Sequence, residues 1–377
     1  MKKPIICHLC DFSPEYPGSF VDSLLSLARC CRDKMRIETF CFFPEEAKGR
    51  LWLKRFDQEG IQYAFVPRAR NVIFDIQVVL QNYNPLIFHT HFFLFDISAV
   101  LLKFLFYRTS KIIWHYHNPT GSTFWSRIKD TIKIRFIARY LGDGCIAVGD
   151  GVYRSLIESG LPLEKLVLIH NSINMTRFAP SNEARKYIRE SFGILRNQIA
   201  FLLLGWDPIR KGVDLFVKAA DKTIQKNGQG SFFIIVGRDE TREFVSKLSE
   251  SSQFGPALRV IDPVEDFSLL LNGVDVLVSS SRSEGLSYTV LEAMAAGKLI
   301  LCSDIPGVRE TFGRSKGAWL FPTEDWKILS GLMKRAVEIP SPEREFLGQA
   351  NSQYVKEHYS LEIWAERMGE VYSTLLR

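Results

Sequence analysis

Two carboxylates, Glu284 and Glu292, stand eight positions apart in the stretch SRSEGLSYTVLEAMAAG (281–297). An apolar run, DVLVSSS (275–281), ends where this stretch begins. Ser283-Glu284-Gly285 reads as a turn, Ser287 as a helix N-cap, and Tyr288 to Ala296 as a helix closed by Gly297. At this spacing on a helix the two carboxyls would lie about 12 Å apart, too far to share a proton. The backbone N–H groups near Gly285, Leu286 and Ser287 would point out of the helix mouth, where an anion is favoured, and Gly285 admits close approach of a phosphate. Carboxylates accept hydrogen bonds from vicinal hydroxyls. A ligand with hydroxyls on both sides of a diphosphate is a nucleotide sugar. On spacing alone, charge on a solvated helix surface is the competing reading.

Histidine supplies a second pattern. FHTHFF carries His89 and His91, and KIIWHYH carries His115 and His117. On a strand, positions two apart share a face. His-x-His pairs suit a metal, but the sequence offers no evident third ligand or carboxylate cluster beside them, so no metal is expected. Cys7-x-x-Cys10 invites a redox or zinc reading. The seven cysteines are an odd, scattered set with no second pair, and buried, inert thiols are the expectation.

The elements that must position these groups repeat one pattern twice. Short apolar runs at 4–9, 36–43, 86–92, 111–117, 144–149 and 166–171 alternate with helix-compatible segments. After the charged stretch SNEARKYIRESFG (181–193) the pattern restarts, with runs at 199–205, 232–237, 258–263, 275–281, 299–304 and 318–322. Continuous apolar strands between helices indicate parallel sheets covered on both faces. Two doubly wound α/β domains follow, with a boundary near 178–195. Ligands bind beyond the carboxyl ends of such strands, and in the second half those ends are turn-forming or polar: Gly205, Gly237, Ser281 and Asp304. Neither G-x-G-x-x-G nor a Walker P-loop occurs.

A chain of 377 residues with 46% hydrophobic and 24% charged residues suits two soluble globular domains. Its net charge of +6 lies entirely in the first half: residues 1–185 carry 24 Lys/Arg against 17 Asp/Glu, the remainder 24 against 25. Attraction to phosphorylated ligands or an anionic membrane is one reading, a solvated surface the other. The N-terminal apolar run is cut by Asp11, unlike a signal peptide, and no run reaches ~18 apolar residues. A cytoplasmic protein is expected, with no nucleic-acid partner.

The segment DVLVSSSRSEGLSYTVLEAMAAGKLILCSDIPGVRE (275–310) resembles the nucleotide-sugar segment of retaining glycosyltransferases of the GT-B fold, the group also called group 1 or family 4. Glu284-Gly285, Glu292-Ala293-Met294-Ala295-Ala296-Gly297 and Ser303-Asp304-Ile305-Pro306-Gly307 carry the match together. The resemblance extends over nearly the whole chain and weakens toward the N-terminus. It implies two Rossmann-like domains facing across a cleft, with an acceptor-binding domain at 1–179, a donor-binding domain at 180–355, and a C-terminal helix within 356–377 returning to the first domain.

It further implies that Glu284 contacts the donor sugar, that Glu292 holds the ribose, and that the Gly285–Leu286–Ser287 backbone meets the diphosphate. In GWDPIRKGVDL (205–215), Lys211-Gly212 matches the family's phosphate-binding Lys-Gly, while the family's Arg position is Trp206; Arg210 is the available substitute. Gly237 falls on the element near the base, and Asp262-Pro263-Val264-Glu265 where backbone, notably at Val264, reads the base edge; uracil is implied ahead of guanine. His117 is implied beside the reacting sugar, with His89 and His91 lining the acceptor site. Gly18 is the single glycine in a loop where the family has a pair. Asn171-Ser172-Ile173-Asn174 resembles the interdomain crossover.

The implied activity is metal-independent, retaining transfer of a hexose or N-acetylhexosamine from a nucleotide-diphosphate sugar to a glycan, lipid-linked or small-molecule acceptor. The donor is a co-substrate and no cofactor is required. Glu284, His117 and Lys211 are the implied catalytic residues. In the basic segment 125–140 the charges at 127, 129, 133 and 135 follow period two more closely than 3.6, which reads as a poor amphipathic helix; the resemblance implies a helix, which would offer peripheral contact with the inner face of an anionic membrane. The alternatives are a catalytically weak or non-catalytic nucleotide-sugar binder and a GT-B sugar-nucleotide epimerase.

Overall fold

The computed structural model describes residues 2–15, 18–68, 72–118, 124–227, 230–250, 254–264, 266–313 and 315–377. The chain forms two compact units: residues 1–172 with 361–377, and residues 173–360. These divisions differ from 179/180 and 355/356. Ile173 N donates to Tyr359 O (2.7 Å) and Ile173 bridges Ser360, so the backbone pairing of the second unit reaches outward to 173 and 360.

The first unit holds a seven-stranded sheet: β1 (Lys3–Cys10), β2 (Glu38–Pro44), β3 (Gln62–Val66), β4 (Tyr83–His91), β5 (Lys111–Tyr116), β6 (Gly144–Ala147) and β7 (Leu166–Leu168), in the order 3-2-1-4-5-6-7. The second holds six: β8 (Ile199–Leu204), β9 (Ser231–Val236), β10 (Leu258–Ile261), β11 (Val276–Ser279), β12 (Leu299–Ser303) and β13 (Ala318–Phe321), in the order 10-9-8-11-12-13. The pairings are parallel throughout. Strand order reverses between β1 and β4 and between β8 and β11, and such switch points open the crevices that bind ligands in doubly wound sheets.

Each unit has its own core. In the second, Phe201, Phe233, Val278 and Leu301 of the sheet pack with Phe216 and Met333 from flanking helices. In the first, Ile6, Ile87, Ile113 and Ile146 pack against Trp364, Met368 and Tyr372. Those last three recur every four residues along the helix Leu361–Leu376, which presents them as one stripe to the sheet. The C-terminal helix thus returns to the first unit. Cys7 and Cys10, three positions apart on β1, project to opposite faces. All seven cysteines are free, six of them buried, and burial pushes the Cys7 and Cys10 thiols well up.

The charged stretch at 181–193 lies within the second unit. Ser181 Oγ caps the helix Asn182–Phe192 by accepting from Ala184 N, and Gly193 ends it in the left-handed region. Two arginines on this helix grip Asp275 at the entrance to β11. Arg185 Nη2 is 2.6 Å from Oδ1 and Arg189 Nη1 is 3.1 Å from Oδ2. Oδ2 also accepts from Ala200 N on β8 (2.9 Å). Arg189 reaches on to the carbonyls of Leu195 and Gln198 (2.6 and 2.7 Å). One carboxylate thereby joins a helix to two adjacent strands.

Lys298 is buried beside this cluster, with Nζ 3.4 Å from Asn272 O. Burial, with Arg185 adding to it, lowers its pKa to about 8 from an ordinary 10.5. The unfolded lysine keeps its proton to higher pH, so between these values the unfolded chain binds more protons and stability rises with pH. Lys298→Met is expected to stabilise the protein by roughly 2 kcal/mol at neutral pH and to remove that rise. Thermal melts at pH 7 and pH 9 check it; an equal gain between them in both proteins would refute the assignment.

The basic segment is helical, as an α-helix (Phe124–Ile132), a π-helical turn (Lys133–Ala138) and a final α-turn (Arg139–Leu141). Ile132, Phe136 and Tyr140, four apart, are all more than half exposed. Among the described residues no helix is long and apolar enough to cross a membrane.

Candidate active site

Residues 205–212 leave the carboxyl end of β8 and residues 280–287 leave that of β11. These strands are neighbours at the switch point, which brings together side chains 73 positions apart. Asp207 shapes the first loop: its Oδ1 accepts from Arg210 N (3.2 Å) and its carbonyl from Lys211 N (2.8 Å). Gly212, at φ +64°, follows. A Cβ there would lie 2.1 Å from Ser280 O, so the two loops meet backbone to backbone and only glycine fits. Ser280 Oγ lies within hydrogen-bond reach of the carbonyls of Lys211 and Gly212 (3.0 and 2.9 Å), and Arg282 N donates to Arg210 O (2.8 Å).

At this junction Lys211 Nζ donates to Glu284 Oε1 in a largely buried ion pair. Ser281 Oγ donates to the same oxygen (2.8 Å), and Arg210 Nη1 stands 3.7 Å from Oε2. Burial pushes Lys211 below its ordinary value and Glu284 pulls it back, leaving it lowered. Arg210 is held by Asp207 (3.0 Å) and lies over the Trp206 ring at 4.5 Å, with Lys211 Nζ 5.2 Å from that ring. The Trp206 ring thus has two cations against it. Arg282, which sequence reasoning passed over, clamps the second loop through Asp214 (3.0 Å) and Glu324 (2.6 Å). Its only sequence signal is its place two residues before Glu284.

Gly285, Leu286 and Ser287 are buried, and the helix Tyr288–Ala295 begins after them. Ser287 takes the N-cap position with an extended backbone, but its hydroxyl makes no capping bond. Glu292 is buried within the helix, 6% exposed. Gly237 follows β9. A Cβ there would meet Thr241 Oγ1 at 2.4 Å, and Thr241 Oγ1 donates to Gly205 O (2.8 Å). Val264 follows the edge strand β10, partly exposed, while Glu265 lies outside the described residues. Val264, Gly237, Lys211 and Glu284 therefore follow β10, β9, β8 and β11, in spatial order along one sheet edge.

The remaining candidates belong to the first unit. His117, just past β5, is 8% exposed and stacks on Phe92 (4.2 Å). Its Nε2 lies 3.3 Å from His91 Nδ1, and burial lowers its pKa to about 3, leaving a neutral imidazole. His89 and His91 are fully buried rather than lining a surface, because positions two apart on β4 turn to the packed face. Phe92 and Phe93 both take left-handed backbone conformations (φ 67° and 69°) immediately after β4. Such strain in bulky residues collects at functional sites. A cavity of about 560 Å³ beside them is lined by Phe92, Phe93, Ile97, Lys129, Lys133 and Ile137. Gly18 sits at φ +52° with open space where a Cβ would be, so no close neighbour requires glycine there; residues 16 and 17 of its loop lie outside the described residues.

Two parallel-sheet Rossmann-like units, with ligand-facing loops at a switch point, define a GT-B type of protein. The family model described as Glycosyl transferases group 1 matches residues 184–354, and that described as Glycosyltransferase Family 4 matches residues 23–177. The chain belongs to the group 1 (family 4) glycosyltransferases. An uncharacterized glycosyltransferase of Methanocaldococcus jannaschii is 26% identical over 218 residues, 56% of this chain and 54% of that one. The N,N'-diacetylbacillosaminyl-diphospho-undecaprenol alpha-1,3-N-acetylgalactosaminyltransferase of Campylobacter jejuni is 29% identical over 177 residues, 45% of each chain. The matches thus span about half the length of these relatives. Among solved structures, Anabaena HepE in complex with UDP-glucose superposes with a TM-score of 0.82 at 14% identity, covering 98% of this chain and 100% of that one.

Proposed function

We propose that the chain transfers a hexose or N-acetylhexosamine from a UDP-sugar, with retention and without a catalytic metal, to a glycan or lipid-linked acceptor. The observation that carries this reading is the Lys211–Glu284 pair at the mouth of a helix at the β8/β11 switch point. Lys211, Arg210 and the Gly285–Ser287 backbone would stabilise the leaving diphosphate, Glu284 would hold the sugar and Glu292 the ribose. The order of Val264, Gly237, Lys211 and Glu284 along the sheet edge matches base, diphosphate and sugar of one extended donor. His117, in the first unit, is proposed to act as a neutral hydrogen-bonding group. Uracil is supported by the UDP-glucose bound to the Anabaena protein, and a lipid-diphosphate acceptor by the name of the Campylobacter relative.

A panel of nucleotide sugars, with nucleotide release and thermal shift as readouts, tests the donor. If no panel member is bound, the reading fails. Trp206 in the family's arginine position favours a second reading, a donor binder with weak turnover; a thermal shift from UDP-sugars without release of UDP would select it.

The stripe of Ile132, Phe136 and Tyr140, flanked by exposed Arg135 and Arg139, is proposed to rest on an anionic membrane. Replacing Phe136 and Tyr140 by Ser should weaken sedimentation with phosphatidylglycerol-containing vesicles by about tenfold. Unchanged binding would locate any membrane contact elsewhere.

A further inference from the structure

β1, β4 and β5 lie side by side in the first unit, and each turns histidine to one face. The register sets His8 against His89 and His91 against His115, and the two-residue alternation places His117 next beyond His115. Neighbouring strands are about 4.8 Å apart, so five imidazoles share one small patch. His89 and His91 stack at 4.3 Å, His115 and His117 at 4.4 Å, and His8 lies 4.9 Å from His89.

Two hydrogen-bonded chains thread these rings. One links His8 Nδ1 to His91 Nε2 (3.1 Å) and His91 Nδ1 to His117 Nε2 (3.3 Å). The other links His115 Nδ1 to His89 Nε2 (3.2 Å) and His89 Nδ1 to the Tyr372 hydroxyl (2.6 Å). Each chain ends on a buried nitrogen, Nε2 of His8 and Nε2 of His115, that has no hydrogen-bond partner among the described residues. A neutral imidazole carries one proton and one lone pair. The nitrogens that converge on one another are instead His8 Nδ1 and His91 Nε2, at the inner end of the first chain.

We propose that His8, His89 and His91 form a buried site for one transition-metal dication of the Zn²⁺ class. One ligand nitrogen from each lies within 4.8 Å of the others. Tetrahedral bonds of about 2.0–2.1 Å to nitrogen set a nitrogen–nitrogen separation of roughly 3.3 Å. The His8–His91 pair already stands at 3.1 Å, and the ion takes the place of the proton those two rings share, while His89 offers Nε2 and gives up its hydrogen bond to His115 Nδ1. A neutral, all-nitrogen set suits Zn²⁺, Ni²⁺ or Cu²⁺ and not Mg²⁺ or Ca²⁺. Tyr372 supplies the outer partner that orients a ligating imidazole, through His89 Nδ1. His91 is shared with a second triad, His91, His115 and His117. The first triad is the more deeply buried and leaves His117 to its proposed role. The third ligand that the His-x-His pairs lacked in sequence is thus His8, from a strand more than 80 positions earlier. The ion would fasten β1 to β4 and brace the face on which Tyr372 packs, a structural role that leaves the transfer chemistry metal-independent.

The test uses the full chain stripped with a chelator. Titration with Co²⁺, followed by visible absorption, is expected to show tetrahedral nitrogen coordination saturating at one ion per chain. Zn²⁺ is expected to raise Tm by several degrees, with the rise ending at one equivalent. His8→Phe should abolish both responses, while His115→Phe retains them, with far-UV circular dichroism confirming that each variant folds. Absence of a saturable one-to-one Co²⁺ spectrum in the wild-type chain overturns the proposal even if no variant folds. Loss of binding in His115→Phe but not in His8→Phe overturns the assignment to this triad. Donor binding in the second unit is read separately, by thermal shift with UDP, so either proposal can fail alone.

Discussion

Glu284→Ala should reduce sugar transfer by about 10²–10³-fold. The carboxylate is fixed before any donor arrives, since Oε1 takes hydrogen bonds from Lys211 and Ser281. A diphosphate at the helix mouth would compete with Glu284 for Lys211, freeing carboxylate capacity for the sugar hydroxyls as the lysine turns to the phosphates. On the proposed reading Glu284 acts on the sugar and Lys211 on the leaving group, so their variants should differ. Glu284→Ala should keep UDP binding, measured calorimetrically, while losing turnover. Lys211→Ala should lose both, because the diphosphate then lacks its buried cation and Glu284 lacks its partner. Full turnover in Glu284→Ala would remove the proposed mechanism. Loss of UDP affinity equal to that of Lys211→Ala would make Glu284 a scaffold for the lysine.

The largest stability effect is expected at Asp275. Removing one partner of a buried ion pair strands the other and costs about 3–5 kcal/mol, and here two arginines and the Ala200 N–H lose their acceptor together. Asp275→Ala should lower Tm by roughly 10 °C. Burial pushes this carboxyl up, but Arg185, the Ala200 N–H and Arg189 outweigh it and hold the pKa below the ordinary 3.8. The folded form thus releases its proton more readily than the unfolded one. The resulting stability is full above the ordinary value and is lost as pH falls through the folded value. Asp275→Asn should accordingly show a shallower acid limb below pH 3.8 than wild type. Identical acid limbs would rule out that contribution.

Both sheets were legible because a buried parallel strand must be apolar on two faces, and twelve of the thirteen strands stand out as such runs. The exception, β3, is the edge of its sheet and carries exposed Gln62 and half-buried Tyr63 and Ala64, so no continuous run forms. The chemistry near Glu284 was legible because turn, cap and helix are local in sequence. What escaped depends on contacts across strands. Arg189 reads as linker charge until its helix lies against β11, and His8 reads as an isolated residue until the register of β1 sets it beside His89. The units part at 172/173 and 360/361, where one backbone bond between Ile173 and Tyr359, invisible to local patterns, fastens the ends of the second.

That fastening makes the second unit an insertion: the first unit's chain leaves at Ser172 and resumes at Leu361, and everything between starts and finishes at one spot. Inserted domains with adjoining ends tolerate excision and circular permutation. If the proposed donor site is correct, a gene fragment encoding 173–360 should yield a portable nucleotide-sugar receptor whose affinity can be tuned without the first unit. New termini placed in a surface turn of that fragment, with 173 and 360 joined, would turn the same module into a cassette for grafting onto other scaffolds.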